Sequence, residues 1–395
     1  MESKKNLTDK EREECRNNVP FSLKLSENLR KLPYRSRKFE RKRALHWGQR
    51  KLLMSEVLLL TKYGHLSNTI LYAGAADGFH IPFLARLFPQ HKFILYDPAK
   101  FHPSLSQSEE KIELHNEFFT DAVAKKYSSA SVIFISDIRV APEEFHDPAF
   151  HENRDVKVQE EMEDDVKKNM ADQMRWHLIL NPAVSMLKFR LPYEPGTTTY
   201  LAGEIHMQVW APPTSTETRL ITQTKETITY DNTDYESRLY RWNICTREHQ
   251  KFDIGIEAEL FKHIPNNYDL KGEIEIWSEY LTRVRGKTNE ELPRFIRGLF
   301  VTLDKFFGRT LIDKYQEAEA KTMSRMQRTP EKRDRKPYPQ TSNENARPPL
   351  RAKHEIPDEL TIVEPSGPLT VPTPEKMNLK KFAMKIPRKN FGFSS

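Results

Sequence analysis

The stretch TILYAGAADGFHIPFLARLFPQHKFILYD, from Thr69 to Asp97, constrains the fold more than any other part of the chain. An apolar run of β type, Thr69–Ala73, ends in the small-residue turn Gly74-Ala75-Ala76-Asp77-Gly78. A helix-compatible stretch follows at His80–Phe88, and a second apolar run, Lys92–Tyr96, stops at Asp97. Strand, glycine turn, helix, strand and terminal acid is the layout of a nucleotide-type cofactor site. The glycines let backbone approach a ligand, and the acid accepts hydrogen bonds from ribose hydroxyls. Asp97 lies 19 residues after Gly78, close to the spacing of about 20 that such sites use. The motif alone leaves a dinucleotide and S-adenosylmethionine equally open, and turns of this kind also occur without a ligand.

The chain is long enough to supply the partner strands. Its 395 residues can bury a sizeable core as one large or two ordinary domains. A mean hydropathy of −0.73 is low for a chain folded throughout, so part of the length is expected to be disordered. The net charge of +7 fits a polyanionic partner. Two cysteines, Cys15 and Cys245, predict neither a disulfide framework nor a metal cluster and point to a reducing compartment. The chain has no apolar run of about 18 residues and no signal-peptide core, which predicts a protein neither spanning a membrane nor secreted.

Residues 1–29 read as polar and loosely ordered. From Arg30 to Lys51 the chain is strongly basic, with Tyr34, Phe39 and Trp47 interleaved. Such a segment suits a nucleic-acid strand, through charge neutralisation and base stacking, or else a solvated helix face. Gln49–Lys62 has the spacing of a largely buried helix. Ile112–His115 and Ser131–Ile135 read as strands, the second ending at Ser136-Asp137, and residues 143–172 are acidic and helix-forming. The alternating run AVSMLKFRL is a strand with Lys188 inside it, where a charge is rarely buried unless paired. Further strands are expected within Thr197–Trp210 and at Glu217–Thr222, and helices at Tyr235–Glu248, Gly272–Val284 and Glu290–Phe307. Beyond Arg325, prolines punctuate a polar, basic tail, 326–395, that reads as disordered. Within it Lys332-Arg333-Asp334-Arg335-Lys336 resembles a nuclear-localisation patch, which tilts the expected location to the nucleus over a cytoplasmic viral factory or a virion.

Strands alternating with helices imply an α/β fold with a doubly wound, mostly parallel sheet. Ligands in that architecture sit beyond the carboxyl ends of the strands. The Gly74–Gly78 turn, Asp97 and Asp137 are expected to meet there, and Asp137 needs a cationic partner.

Seven short segments then carry a resemblance. Gln49-Arg50-Lys51-Leu52-Leu53, Tyr72-Ala73-Gly74, Gly78-Phe79-His80, Ile135-Ser136-Asp137-Ile138-Arg139, Leu180-Asn181-Pro182, Leu187-Lys188-Phe189-Arg190 and Glu217-Thr218-Arg219-Leu220 occur in order. In this order and spacing the chain resembles the poxvirus-type cap-specific mRNA 2′-O-methyltransferases, over about residues 46–310. In poxviruses that enzyme is also the stimulatory small subunit of the poly(A) polymerase, and related proteins act in trypanosomatid cap methylation. The resemblance implies a Rossmann-like, S-adenosylmethionine-dependent methyltransferase domain at 46–325, flanked by a basic extension, 1–45, and the proline-rich tail.

The resemblance also implies roles for individual residues. Lys51, Asp137, Lys188 and Glu217 match the family's catalytic tetrad, with Lys188 as the base that takes the proton of a ribose 2′-hydroxyl. A lysine serves as a base only when burial and a neighbouring cation lower its pKa. Gln49, Tyr72, Gly74, Gly78, His80, Asp97, Phe119 and Asp137 match the cofactor residues. Asp77 stands where the family has proline, and Ala99 where it has an arginine that Lys100 could replace. Glu236 and Tyr193 match a carboxylate and a ring of the cap pocket. Glu194 stands for the second carboxylate with a slip of one residue, and Tyr34 for the second ring, with Phe21 and Phe39 as alternatives. A methylated, cationic guanine is held between such rings. Arg139, Arg190 and Arg219 are expected to line the transcript's path. The implied partners are capped mRNA and a polymerase or other capping proteins. Two other readings stay open, a non-catalytic polymerase-stimulating subunit and a 2′-O-methyltransferase for another RNA.

Overall fold

The computed structural model describes residues 19–26, 29–34 and 44–327, with 11, 13 and 15, apart from 76, 107–110, 129–130, 140–155, 257–260, 262–263 and 265–266. Apolar runs without polar alternation make strands that bury both faces. Three such strands are β1 (Thr69–Ala73), β2 (Lys92–Tyr96) and β4 (Ile133–Ser136). With β3 (Ile112–His115) and β5 (Val184–Phe189) they pair in parallel. Beyond them β6 (Thr197–Leu201), β7 (Glu204–His206), β8 (Thr218–Thr222) and β9 (Thr227–Asp231) follow in the chain. The main sheet has seven strands in the order β3-β2-β1-β4-β5-β8-β7, with β8 antiparallel to both neighbours, and β6 pairs separately with β9. This is the expected Rossmann-like α/β sheet. Its strand order reverses between β1 and β4, so a crevice opens beyond their carboxyl ends.

Helices cover both faces: α1 (Gly48–Tyr63), α2 (Ile81–Leu87), α3 (Asp121–Tyr127), α4 (Val156–Leu180), α5 (Asn232–Arg241), α6 (Tyr268–Arg283), α7 (Leu292–Phe307) and α8 (Leu311–Gln327). In α7 the apolar stripe Phe295, Ile296, Leu299, Phe300, Leu303 and Phe307 is buried, and Gly308 closes the helix in the left-handed region at φ 65°. Strands β1 and β2 fall where the sequence places them; β9, α3 and α8 carry too little periodicity to be read from it. Among the described residues no helix is long and apolar enough to cross a membrane.

Three expectations need correction. Phe21, Leu23, Leu25 and Leu29 pack on the core, so this part of residues 1–29 is not loose. Leu23 and Leu25 hydrogen-bond to the edge of β7, through Met207 N to Leu23 O at 2.7 Å and Leu25 N to Ile205 O at 2.8 Å. Second, Cys15 and Cys245 form a disulfide. A five-residue π-helical segment, Trp242–Thr246, continues α5 and carries Cys245 into contact with the N-terminal segment. A separation of 230 residues hides that pairing from the sequence. Third, residues 326 and 327 end α8 rather than opening the tail. Residues 35–43, the patch at 332–336 and the rest of the tail lie outside the described residues.

Candidate active site

The pairing of β5 with β8 sets Lys188 directly opposite Arg219. Like charges facing each other across two strands repel, so the pair needs anions beside it. Glu217, two residues before Arg219, shares its face, and Asp137 directly follows β4, the parallel neighbour of β5. Lys188 Nζ lies 3.0 Å from Asp137 Oδ1 and 3.6 Å from Glu217 Oε2. Arg219 Nη2 donates to Asp137 Oδ1 at 2.7 Å, and Lys51, from the first turn of α1, donates to Glu217 Oε1 at 2.8 Å. The amide of buried Gln208 borders the cluster, and the orientation that satisfies it turns its oxygen to Arg219 Nε at 3.0 Å and its nitrogen to Glu217 Oε1 at 3.3 Å. All four tetrad positions therefore meet in one cluster.

Burial pushes the Glu217 carboxyl up, but Lys188, Lys51 and Arg219 outweigh it and hold the group well below the usual range. Asp137 is held low by Arg219, Lys188 and Lys51 against the same effect of burial. Burial, then the repulsion of Arg219 and Lys188, pushes the Lys51 ammonium down despite Glu217 and Asp137. The cluster holds Lys51, Lys188 and Arg219 against two carboxylates, one positive charge in excess. A proton leaving a lysine relieves that excess.

The glycine turn lies beside this cluster. Gly74 has φ +79° and Gly78 φ +61°, and a Cβ on Gly74 would stand 2.7 Å from Ile138 N. Part of the glycine requirement thus comes from the chain's own exit from β4. Asp77 also has positive φ, at 41°, and its carboxylate accepts from Phe79 N at 2.8 Å. Proline, locked near φ −65°, cannot take this conformation, which accounts for the departure at 77. Asp97 is buried at the end of β2 and accepts from Ala99 N at 2.8 Å. Phe119 is buried edge-on to Trp176, with ring centres 4.9 Å apart, while the preceding Phe118 is exposed. Ala99 and Lys100 are both exposed. His80 bridges Gln49 Oε1, at 2.6 Å from Nδ1, and Glu56 Oε1, at 3.0 Å from Nε2. Tyr72 Oη donates to the same Glu56 oxygen at 2.8 Å. Sequence reasoning passed over Glu56, although one acid inside MSEVLLL was the available signal. At the end of β4, Ser136 Oγ is buried with no hydrogen-bond partner among the described residues. Positive-φ glycines, a strand-end acid and an unpaired hydroxyl beyond β1, β2 and β4 fit a nucleoside-type ligand with hydrogen-bonding hydroxyls.

A second cluster surrounds Tyr193, which is 45% exposed. The Arg190 guanidinium lies 4.1 Å above its ring and pairs with Glu163 of α4. Glu163 Oε2 also accepts from Tyr193 N at 3.1 Å, and Tyr193 Oη meets Thr216 Oγ1 at 3.0 Å. Burial raises Glu236 on α5, with Arg190 opposing and Glu163 adding to the rise. Glu194 is not in this group, because Lys167 holds it at 3.1 Å. The carboxylate beside Tyr193 is Glu163, which sequence spacing could not reveal from a different helix. Tyr34 is exposed and meets Tyr240 of α5 edge-on at 5.3 Å, while Leu32 N donates to Ser237 O, so its segment runs along the helix that carries Glu236. Phe21 is packed against Tyr268 instead, and Phe39 lies outside the described residues.

The three arginines separate. Arg139 is exposed, 3.9 Å from Glu217 Oε2 at the rim of the tetrad. Arg190 is committed to Tyr193 and Glu163. Arg219, at 2% exposure, is buried within the cluster around Lys188 and does not line an open path. Arg50, from the basic segment, is likewise buried, donating to Glu273 from Nε and Nη2 at 2.8 Å each.

Among solved structures, the chain is similar to bluetongue virus VP4, described as a multifunctional RNA-capping production line, at 13% identity and a TM-score of 0.36. The similarity covers 61% of this chain and 39% of VP4, so the chain spans well under half the length of that protein. A family model described as poly A polymerase regulatory subunit matches residues 19–280, which include β1 to β9 and every residue of the two clusters. The chain belongs to the poly(A) polymerase regulatory subunit family.

Proposed function

We propose that this protein transfers a methyl group from S-adenosylmethionine to the ribose 2′-oxygen of nucleotides next to an mRNA cap. The observation that carries the reading is the convergence of Lys51, Asp137, Lys188 and Glu217 beside the Gly74–Gly78 turn. Four chemistry-bearing residues from separate elements meet within 4 Å contacts at the carboxyl edge of the sheet. S-adenosylmethionine, when bound, supplies an electrophilic methyl group. Gly74, Gly78, Asp97, Gln49, Tyr72, His80 and Phe119 would hold it.

Lys188 is the proton acceptor for the attacking hydroxyl, a role that rests on its place between Asp137 and Glu217 at the end of β5. Asp137 and Glu217 fix the ammonium groups, and Arg219 fixes Asp137. Lys51, a second ammonium group in the cluster, holds Glu217 from the side opposite Lys188. Holding hydroxyl and methyl donor in line supplies further acceleration. Tyr193, Glu236 and Glu163 form the pocket for the cationic guanine, with Tyr34 as its second ring. Arg139, at the tetrad's rim, meets the transcript's phosphates.

The test is transfer of labelled methyl to capped RNA, followed by mapping of the modified nucleotide. Transfer to a cap-proximal ribose is expected, and none would refute the assignment.

The family description favours a second reading, in which the chain binds RNA and stimulates a poly(A) polymerase, with or without catalysis. Tail-extension assays with the Lys188→Arg variant separate the two roles, because stimulation that survives loss of methyl transfer is an independent function.

A further inference from the structure

Glu56 is fully buried in α1, in the run LLMSEVLLL. It lies two turns after Gln49, on the same face of the helix. Burying a carboxylate costs heavily unless donors meet its oxygens. Glu56 draws its donors from opposite flanks of the glycine turn. Tyr72, two residues before Gly74, donates from Oη at 2.8 Å. His80, two residues after Gly78, meets the same oxygen, Oε1, from Nε2 at 3.0 Å and lies 2.8 Å from Oε2, which has no hydrogen-bond partner among the described residues. The chain of contacts continues from His80 Nδ1 to Gln49 Oε1 at 2.6 Å, and from Gln49 Nε2 to Asp77 Oδ1 at 3.5 Å. Asp77 then holds Phe79 N inside the turn's exit.

We infer that Glu56 is a positioning residue that clamps both flanks of the Gly74–Gly78 turn and thereby sets the affinity of the crevice for S-adenosylmethionine. This inference rests on the methyl-transfer reading. Glu56 acts through Tyr72 and His80, whose side chains it bonds on either side of the turn. It makes no bond to Lys51, Asp137, Lys188 or Glu217 in the structure, so it governs binding rather than proton removal. Its place on α1 also makes one helix responsible for both halves of the site, with Lys51 on the tetrad side and Gln49 and Glu56 on the turn side.

The test compares wild type with Glu56→Gln and Tyr72→Phe by calorimetric titration with S-adenosylmethionine and by steady-state kinetics on capped RNA. Glu56→Gln keeps the shape but removes the charge. Its Kd and KM for S-adenosylmethionine should rise about tenfold or more, the scale of lost support behind a binding residue, with kcat at saturation nearly unchanged. Tyr72→Phe should give a smaller rise, and none in addition when combined with Glu56→Gln, because it removes only the contact that it shares with Glu56. Unchanged affinity in Glu56→Gln, a fall in kcat as large as the rise in KM, or full additivity would overturn the clamp. Should Glu56→Gln fail to fold in a thermal melt, the isosteric Tyr72→Phe carries the test alone, and wild-type affinity there overturns it. Wild-type protein that bound no S-adenosylmethionine would refute the methyl-transfer reading itself, a result distinct from a wild type that binds and a variant that matches it.

Discussion

Replacing Lys188 by arginine separates its charge from its chemistry. Its ammonium group sits 3.0 Å from Asp137 and 3.6 Å from Glu217. At an effective dielectric of about 20, each contact is worth about 5 kcal/mol of attraction before desolvation is subtracted. Removing the cation, as in Lys188→Met, takes one partner from each carboxylate but leaves Asp137 with Arg219 and Glu217 with Lys51. The fold should therefore lose less than the cost of a buried charge left unpaired, about 3–5 kcal/mol. Arginine keeps the positive charge and can serve both acids, so Lys188→Arg should melt within a few degrees of wild type. It gives up no proton at any pH that the fold survives. A general base contributes about 10²–10⁴ in rate, or about 3–5 kcal/mol of barrier. Lys188→Arg should therefore lose that factor in methyl transfer to capped RNA while its melting temperature and S-adenosylmethionine affinity hold. Turnover within tenfold of wild type would refute Lys188 as the base and turn attention to Lys51, the lysine that burial pushes down.

Three further outcomes are expected. Burial raises the Asp304 carboxyl to about 6 against the pull of Arg50. Folding thus favours its protonated form, and its contribution is complete below about pH 4 and lost as pH rises through about 6. Asp304→Asn should raise the melting temperature at pH 8, by about 1–3 kcal/mol of stability, and change it little at pH 4; equal effects at both would disprove the linkage. Glu163→Gln and Glu236→Gln should each weaken binding of a methylated cap analogue by about tenfold, the cost of a charge-assisted hydrogen bond, while Glu194→Gln should not; fluorescence titration reports all three. Reducing agent, or Cys15→Ser, should lower the melting temperature, since closing a loop of 230 residues stabilises by up to about 5 kcal/mol in the chain-entropy account. Identical melts with and without reductant would mean that the bond contributes nothing.

Parts of this site were legible because local chemistry is periodic. Unbroken apolar runs announced β1, β2 and β4, and the turn between Gly74 and Gly78 announced itself through residues that tolerate positive φ. Lys188 stood out as a charge inside a strand, which demands a partner. The identity of its partners was a different matter. Asp137 and Glu217 were matched by family resemblance, and nothing in their own neighbourhoods says that they meet.

The sequence by itself determined most of the elements and the glycine turn that follows β1, because strand periodicity and turn chemistry act within a few residues of each other. Only the tertiary structure decided which charges share a site. The β5–β8 register faced Lys188 with Arg219 and moved that arginine from an expected RNA path into the buried cluster. Packing of α4 against the loop at Tyr193 put Glu163 where Glu194 was expected. The fold also joined Cys15 to Cys245 and set Glu56 between Tyr72 and His80. Contacts of this kind depend on distances between elements far apart in the chain, and a linear pattern carries no information about those distances.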